Sequence, residues 1–273
     1  MHIRFEDISL FFQGPESSIP KGNYIFFIHG FTGSSLDWKE IIPFLNDNFQ
    51  CITLDLIGHG NSDSPKDVSY YSSDSINSQL KLIVEHISDQ PIILAGYSMG
   101  GRVALNFAIE NPSFIKALIL ESTTAGIKEE HLRIERIIQD EKLASFIKNN
   151  SIEKFIDYWM NIDLFSTQKK LTKKKLEISR NQKLQNNKIG LINCLKGFGT
   201  GKMTPLYERL STFYPETLLI NGELDKKFCD INTEMANILP SVKHEIIRNC
   251  GHNTHFEQPK LFIEEINNFL REF

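Results

Sequence analysis

The chain has 273 residues, 41% of them hydrophobic, which is enough to bury a substantial core and suits one large domain with an insertion better than two independent domains. With 34 acidic against 30 basic side chains the net charge is −4 at pH 7, so the overall balance favours neither nucleic acid nor an anionic membrane surface, and an anionic ligand has to be met by local cations. The first seven residues hold no long apolar stretch, no later segment reaches bilayer-spanning length, and Cys51, Cys194, Cys229 and Cys250 lack metal-ligand spacing; the expectation is a cytoplasmic protein with reduced thiols, no bound metal and no membrane partner.

In chain order, short β-like runs fall at residues 3–5 and 9–12, which can pair as a hairpin, then at 24–28, 49–55, 91–95, 116–121, 217–221 and 242–247. Helical spacing links Ile76, Leu80, Ile83, Val84 and Ile87 within 74–87, and a second helix closes the chain over 259–270. Strands alternating with helices predict an α/β fold: a mostly parallel sheet with helices on both faces and catalytic groups in loops at the carboxyl ends of strands. The alternation breaks over residues 122–205. There Leu132, Ile134, Ile137 and Ile138, then Phe155, Ile156, Trp159 and Met160, read as the apolar faces of several amphipathic helices forming a cap. The predicted division is core 1–121, cap 122–205, core 206–273. Lys169-Lys170 and Lys173-Lys174-Lys175 read as a solvated helix face.

The motif Gly96-Tyr97-Ser98-Met99-Gly100 follows the apolar run Ile92-Ile93-Leu94-Ala95 and precedes a helix-like stretch from Arg102 to Ala108. A serine is thereby held on a sharp strand-to-helix turn, where its Oγ projects and the Met99 N–H faces a developing oxyanion. Serine needs a histidine to take its proton and an acid to orient that histidine. Asp225, after the strand at 217–221, and His252, after the strand at 242–247, supply them in the order Ser98, Asp225, His252. His255 is an alternative base and Glu121 an alternative acid. Glu223 is the other near candidate acid and also reads as a loop hydrogen-bonding group, and Asp55 and His59 read as loop-stabilising residues. His29-Gly30-Phe31-Thr32-Gly33-Ser34 follows the strand at 24–28 and would bring the Phe31 N–H to Ser98 as the second oxyanion donor, with His29 bracing the loop. No metal-binding helix, phosphate loop or dinucleotide fingerprint occurs, so no cofactor is expected.

Taken together across nearly the whole chain, these motifs resemble the α/β-hydrolase superfamily and, within it, the 2-succinyl-6-hydroxy-2,4-cyclohexadiene-1-carboxylate synthase family. The resemblance rests on His29-Gly30-Phe31-Thr32-Gly33-Ser34, Gly96-Tyr97-Ser98-Met99-Gly100-Gly101-Arg102, Gly199-Thr200-Gly201 and Gly251-His252-Asn253-Thr254-His255. It implies a cofactor-free lyase of menaquinone biosynthesis that eliminates pyruvate from a small polyanionic substrate, with Ser98 acting as a base relayed by His252. It also implies substrate contacts from Arg102, Arg136, Arg180, Tyr97 and Trp159. Arg136 and Arg180 also read as ordinary helix-surface cations, and Trp159 as cap packing. Two positions depart from the family pattern: Thr123-Thr124-Ala125-Gly126 replaces a serine-proline-glycine turn, and Tyr207 stands where tryptophan is common. A serine carboxylesterase or carbon–carbon bond hydrolase using Ser98 as nucleophile shares the same triad, because fold does not decide function. A non-catalytic ligand-binding relative is a further reading, which the complete triad disfavours.

Overall fold

The computed structural model describes residues 1–14 and 23–273. Its strands are β1 (His2–Phe5), β2 (Ile8–Gln13), β3 (Asn23–Ile28), β4 (Phe49–Asp55), β5 (Ile92–Tyr97), β6 (Ile115–Glu121), β7 (Glu216–Gly222) and β8 (Val242–Ile247), forming one sheet in the order β1-β2-β4-β3-β5-β6-β7-β8. The β1–β2 hairpin and the β2–β4 pairing are antiparallel, and every other pairing is parallel. β3 shows why the centre of the sheet is an unbroken apolar run: both of its faces are covered. Phe26 and Ile28 pack with Leu94, Val103 and Phe107 on one side, whereas Ile25 and Phe27 pack with Trp38, Ile93, Phe262 and Ile266 on the other.

The helices that precede β7 are α1 (Ser73–Ile87), α2 (Met99–Glu110), α3 (Glu130–Asn149), α4 (Ile152–Trp159), α5 (Lys173–Lys183), α6 (Lys188–Phe198) and the short α7 (Tyr207–Leu210). α8 (Lys226–Ala236) follows β7, and α9 (Thr254–Glu257) and α10 (Pro259–Leu270) follow β8. α3 to α6 form the inserted cap, with a small core of its own in Ala144, Ile147, Phe155, Ile156, Leu191 and Leu195. One expectation fails here. Leu132, Ile134 and Ile138 are 40%, 51% and 46% exposed and only Ile137 of the four is half-buried, and α3 instead buries Asp140, Ala144 and Ile147. Those three lie at i, i+4 and i+7, the spacing of one helix face.

Register sets where the chemistry gathers. Ile28 pairs with Gly96 and Tyr97 with Glu121, so β3, β5 and β6 end at the same edge of the sheet. The glycines flanking Ser98 allow α2 to start there. A Cβ on Gly96 would meet the Gly100 carbonyl oxygen at 2.3 Å, and one on Gly100 would meet that of Ile28 at 2.3 Å.

Candidate active site

Ser98 joins β5 to α2 with φ +51° and ψ −104°, a conformation that L-residues adopt only where the surroundings impose it. Here they do. The Ser98 N–H donates to the Glu121 carbonyl at 2.8 Å, and the Ser98 carbonyl accepts from the Thr123 hydroxyl at 2.8 Å and from the Arg102 N–H at 3.1 Å. Ser98 Oγ lies 3.0 Å from His252 Nε2, and His252 Nδ1 lies 2.6 Å from Asp225 Oδ2. Since a carboxylate only accepts, Asp225 assigns the proton to Nδ1 and leaves Nε2 free to accept from the serine. Asp225 occupies the N-cap position of α8 without capping it, because its carboxylate turns to His252.

The Met99 N–H opens α2, so it has no carbonyl one turn back to bond and remains available to a ligand. Phe31 sits in the turn closed by Gly33 N–H to the Gly30 carbonyl at 3.0 Å, and its ring stands edge-on to Trp159 at 5.2 Å. His29 braces this turn: Nδ1 donates to the Gly30 carbonyl at 2.7 Å and Nε2 accepts from the Leu56 N–H at 3.1 Å. Asp55 accepts from the amides of Ser35 and Asn61, and Glu223 accepts from the Asn249 amide, the loop roles read for them in the sequence. His59 is buried against the His29 ring at 5.0 Å; burial, reinforced by His29, holds it down at about 3, so it stays neutral. Glu121 pairs with His255 at 2.6 Å rather than with His252.

Above Ser98 lies a cavity of about 570 Å³, walled by the sheet edge on one side and the cap on the other. Ser98, His252, Phe31, Met99, Tyr97, Arg102, Arg136 and Trp159 all line it. Arg102 is 8% exposed, donates to the Phe198 carbonyl at 2.8 Å and lies 4.9 Å from the Phe198 ring centroid. It has no ion-pair partner among the described residues. Burial, and then the neighbouring Arg136, push its pKa down to about 10, so it keeps its charge at neutral pH but holds it at a cost. Arg136 Nε donates to Asp140 Oδ1 at 2.9 Å. Burial raises the Asp140 carboxyl despite that contact, and its Oδ2 has no partner among the described residues. Trp159 Nε1 is likewise buried and unpartnered among the described residues.

Arg180 departs from expectation. It does not line this cavity: its Nε and Nη2 grip Asp157 of α4 at 2.6 and 3.1 Å, a bidentate pair on the outer surface of the cap. The cavity also brings in Phe228 and Lys227, which the sequence did not single out, and the Gly199-Thr200-Gly201 motif, which it did. Phe228 packs its ring 4.5 Å from that of His252, three residues beyond Asp225 on the first turn of α8. Lys227 adds a cation to the lining, and Thr200 brings the Gly199-Thr200-Gly201 segment to the wall. The position of Phe228 after Asp225 was the available signal; Lys227 stood beside Lys226 with nothing to distinguish the two.

The family model for the alpha/beta hydrolase fold matches residues 23–259. A Bacillus subtilis (strain 168) protein provisionally named 2-succinyl-6-hydroxy-2,4-cyclohexadiene-1-carboxylate synthase is 42% identical over 258 residues, spanning 94% of this chain and 92% of that one. The synthase of the same name from Enterobacter sp. (strain 638) is 28% identical over 236 residues, with 86% and 87% covered. Among solved structures, MenH from S. aureus superposes with a TM-score of 0.91 at 36% identity, covering 96% of this chain and 98% of that one. By fold, by site geometry and by these similarities, the chain belongs to the α/β-hydrolase family and, within it, to the 2-succinyl-6-hydroxy-2,4-cyclohexadiene-1-carboxylate synthases.

Proposed function

We propose that this protein eliminates pyruvate from 2-succinyl-5-enolpyruvyl-6-hydroxy-3-cyclohexene-1-carboxylate, giving 2-succinyl-6-hydroxy-2,4-cyclohexadiene-1-carboxylate in menaquinone biosynthesis, without a cofactor. The observation that carries the reading is the company the serine relay keeps. Ser98 and His252 open into a cavity whose wall holds two arginines, one of them buried without a carboxylate partner among the described residues. A buried guanidinium in that state is poised for an anionic ligand, and its planar fork suits a carboxylate bidentately.

In this reading Ser98 passes its proton to His252 Nε2 as it removes the proton beside the substrate's succinyl ketone. Asp225 stabilises the imidazolium that results. The charge that develops on the ketone oxygen is met by the amides of Phe31 and Met99. Collapse of that enolate through the ring breaks the carbon–oxygen bond to the enolpyruvyl group, and the departing pyruvate enolate takes up a proton. Arg102 and Arg136 hold substrate carboxylates, and Tyr97 and Trp159 form the apolar part of the wall. Arg180 takes no part in the geometry described. No helix among the described residues is long and apolar enough to cross a membrane, and a cytoplasmic place of work belongs to the same proposal.

Purified protein without added metal or nucleotide is expected to release pyruvate from the enolpyruvyl substrate, read by coupling to lactate dehydrogenase, and to hydrolyse p-nitrophenyl esters slowly. Fast ester turnover without pyruvate release would replace this reading with the esterase one.

A further inference from the structure

We infer that Glu121 is a positioning residue that sets the Ser98–His252 distance by holding both partners from one end of β6. Its two functional ends serve different halves of the relay. Through the backbone, its carbonyl accepts the Ser98 N–H at 2.8 Å, on the nucleophile side. Through the side chain, Oε1 accepts the Thr254 N–H at 2.6 Å, the Thr254 hydroxyl at 2.7 Å and the His255 N–H at 3.0 Å, while Oε2 accepts from His255 Nδ1 at 2.6 Å. Thr254 and His255 come two and three residues after His252, so the carboxylate anchors the loop that carries the base.

The anchor is rigid for reasons visible in its packing. Glu121 and His255 are 1% and 3% exposed, so no water competes for these hydrogen bonds. The His255 ring is held between Trp38, 4.4 Å away at an interplanar angle of 31°, and the edge of Tyr97 at 5.0 Å. Two residues beyond Glu121, the Thr123 hydroxyl holds the Ser98 carbonyl, so a single three-residue segment grips both sides of the serine's peptide frame. Besides this anchor and the His252–Ser98 contact itself, residues 249–252 are tied by the Asn249 N–H to Glu223, by the Leu224 N–H to the Cys250 carbonyl, by the Gly251 N–H to Glu257 and by His252 to Asp225. None of those four bonds reaches the strand that leads to Ser98.

Proton transfer depends steeply on the distance between the partners, so a loosened loop lowers turnover without altering substrate contacts made elsewhere. Glu121→Gln keeps the volume and one acceptor oxygen but turns an NH2 donor toward His255 Nδ1. Its expected effect is a fall in kcat of roughly 10- to 100-fold with KM within about twofold. The rate at which phenylmethanesulfonyl fluoride modifies Ser98 is expected to fall in parallel. Thr254→Val, which removes only the hydroxyl donor, is expected to lower both rates by roughly 3- to 10-fold. The inference rests on the relay described under Proposed function, but sulfonylation reads Ser98 whatever the substrate is. Absence of pyruvate release by the parent would therefore overturn the functional reading and leave this test intact. All rates are measured below the melting temperature of each variant. If Glu121→Gln loses only melting temperature and keeps parental kcat and sulfonylation, Glu121 is structural and the inference is wrong. If that variant does not fold, Thr254→Val decides, and parental rates there refute it.

Discussion

Arg102 is the residue whose replacement separates binding from folding. In the unliganded protein its charge is a burden: the drop from 12.5 to about 10 corresponds to about 3 kcal/mol against the charged form. Offsetting this are the charged hydrogen bond to the Phe198 carbonyl, worth about 1.5–3 kcal/mol, and the contact with the Phe198 ring, worth about 0.5–2 kcal/mol. Arg102→Met keeps the length of the side chain and discards all three terms, which nearly cancel. Its stability is therefore expected to stay within about 2 kcal/mol of the parent. Activity behaves differently under the proposed function, in which a substrate carboxylate is left without its partner. The loss in kcat/KM is expected at about 2–5 kcal/mol, or roughly 30- to 5000-fold.

Arg102→Lys keeps the charge but loses the fork, so it is expected to recover only part of that loss. Urea unfolding of the parent and both variants gives the stability arm, and steady-state pyruvate release gives the activity arm. A folded Arg102→Met protein with parental kcat/KM would refute the carboxylate-binding role. A loss of stability as large as the loss in activity would make Arg102 a packing residue instead.

Three further outcomes follow from the geometry. Asp225→Asn preserves the shape of the relay but no longer dictates the His252 tautomer, so kcat is expected to fall by about 10³–10⁴ with the circular dichroism spectrum unchanged; parental turnover would remove Asp225 from the relay. Gly100→Ala places a Cβ 2.3 Å from the Ile28 carbonyl oxygen and 2.5 Å from that of His29, both backbone atoms, and is expected to destabilise the fold by about 3 kcal/mol or more in urea unfolding; a loss below about 1 kcal/mol would show that α2 can shift freely. His59 is held at about 3 against an ordinary 6.5, so the unfolded chain takes up its proton first as the solution is acidified, and stability falls with pH below 6.5. That contribution amounts to about 2 kcal/mol between pH 7.5 and 5.0 and is expected to vanish in His59→Gln; equal pH dependence in the two proteins would refute it.

What was legible in the sequence follows from what local pattern can carry. Each predicted strand is present with ends shifted by at most two residues, and β5 runs on to Tyr97 because Gly96 and Tyr97 still pair with β6, although glycine had hidden the run. Ser98, Asp225 and His252 were legible because each stands just past an apolar run. Spacing misled where a helix buries a polar group. At 100° per residue, Asp140, Ala144 and Ile147 fall within about 60° of one another on α3, and Ile134 and Ile138 fall roughly opposite. Most of the expected apolar stripe therefore faces water, with only Ile137 half-buried, while an aspartate faces inward to meet Arg136. Arg136 and Arg180 each have an acid partner, but only one pair is local. Asp140 is one turn from Arg136, whereas Asp157 reaches Arg180 from a different helix, 23 residues away. Glu121 is the same problem at larger range. Its carboxylate meets residues 133 and 134 positions further along the chain, and it does so because β6 lies between β5 and β7 with its end level with theirs. Periodicity marks where a strand is, but not which strands flank it, so a residue whose role is to tie two strand ends together carries no local sign of that role.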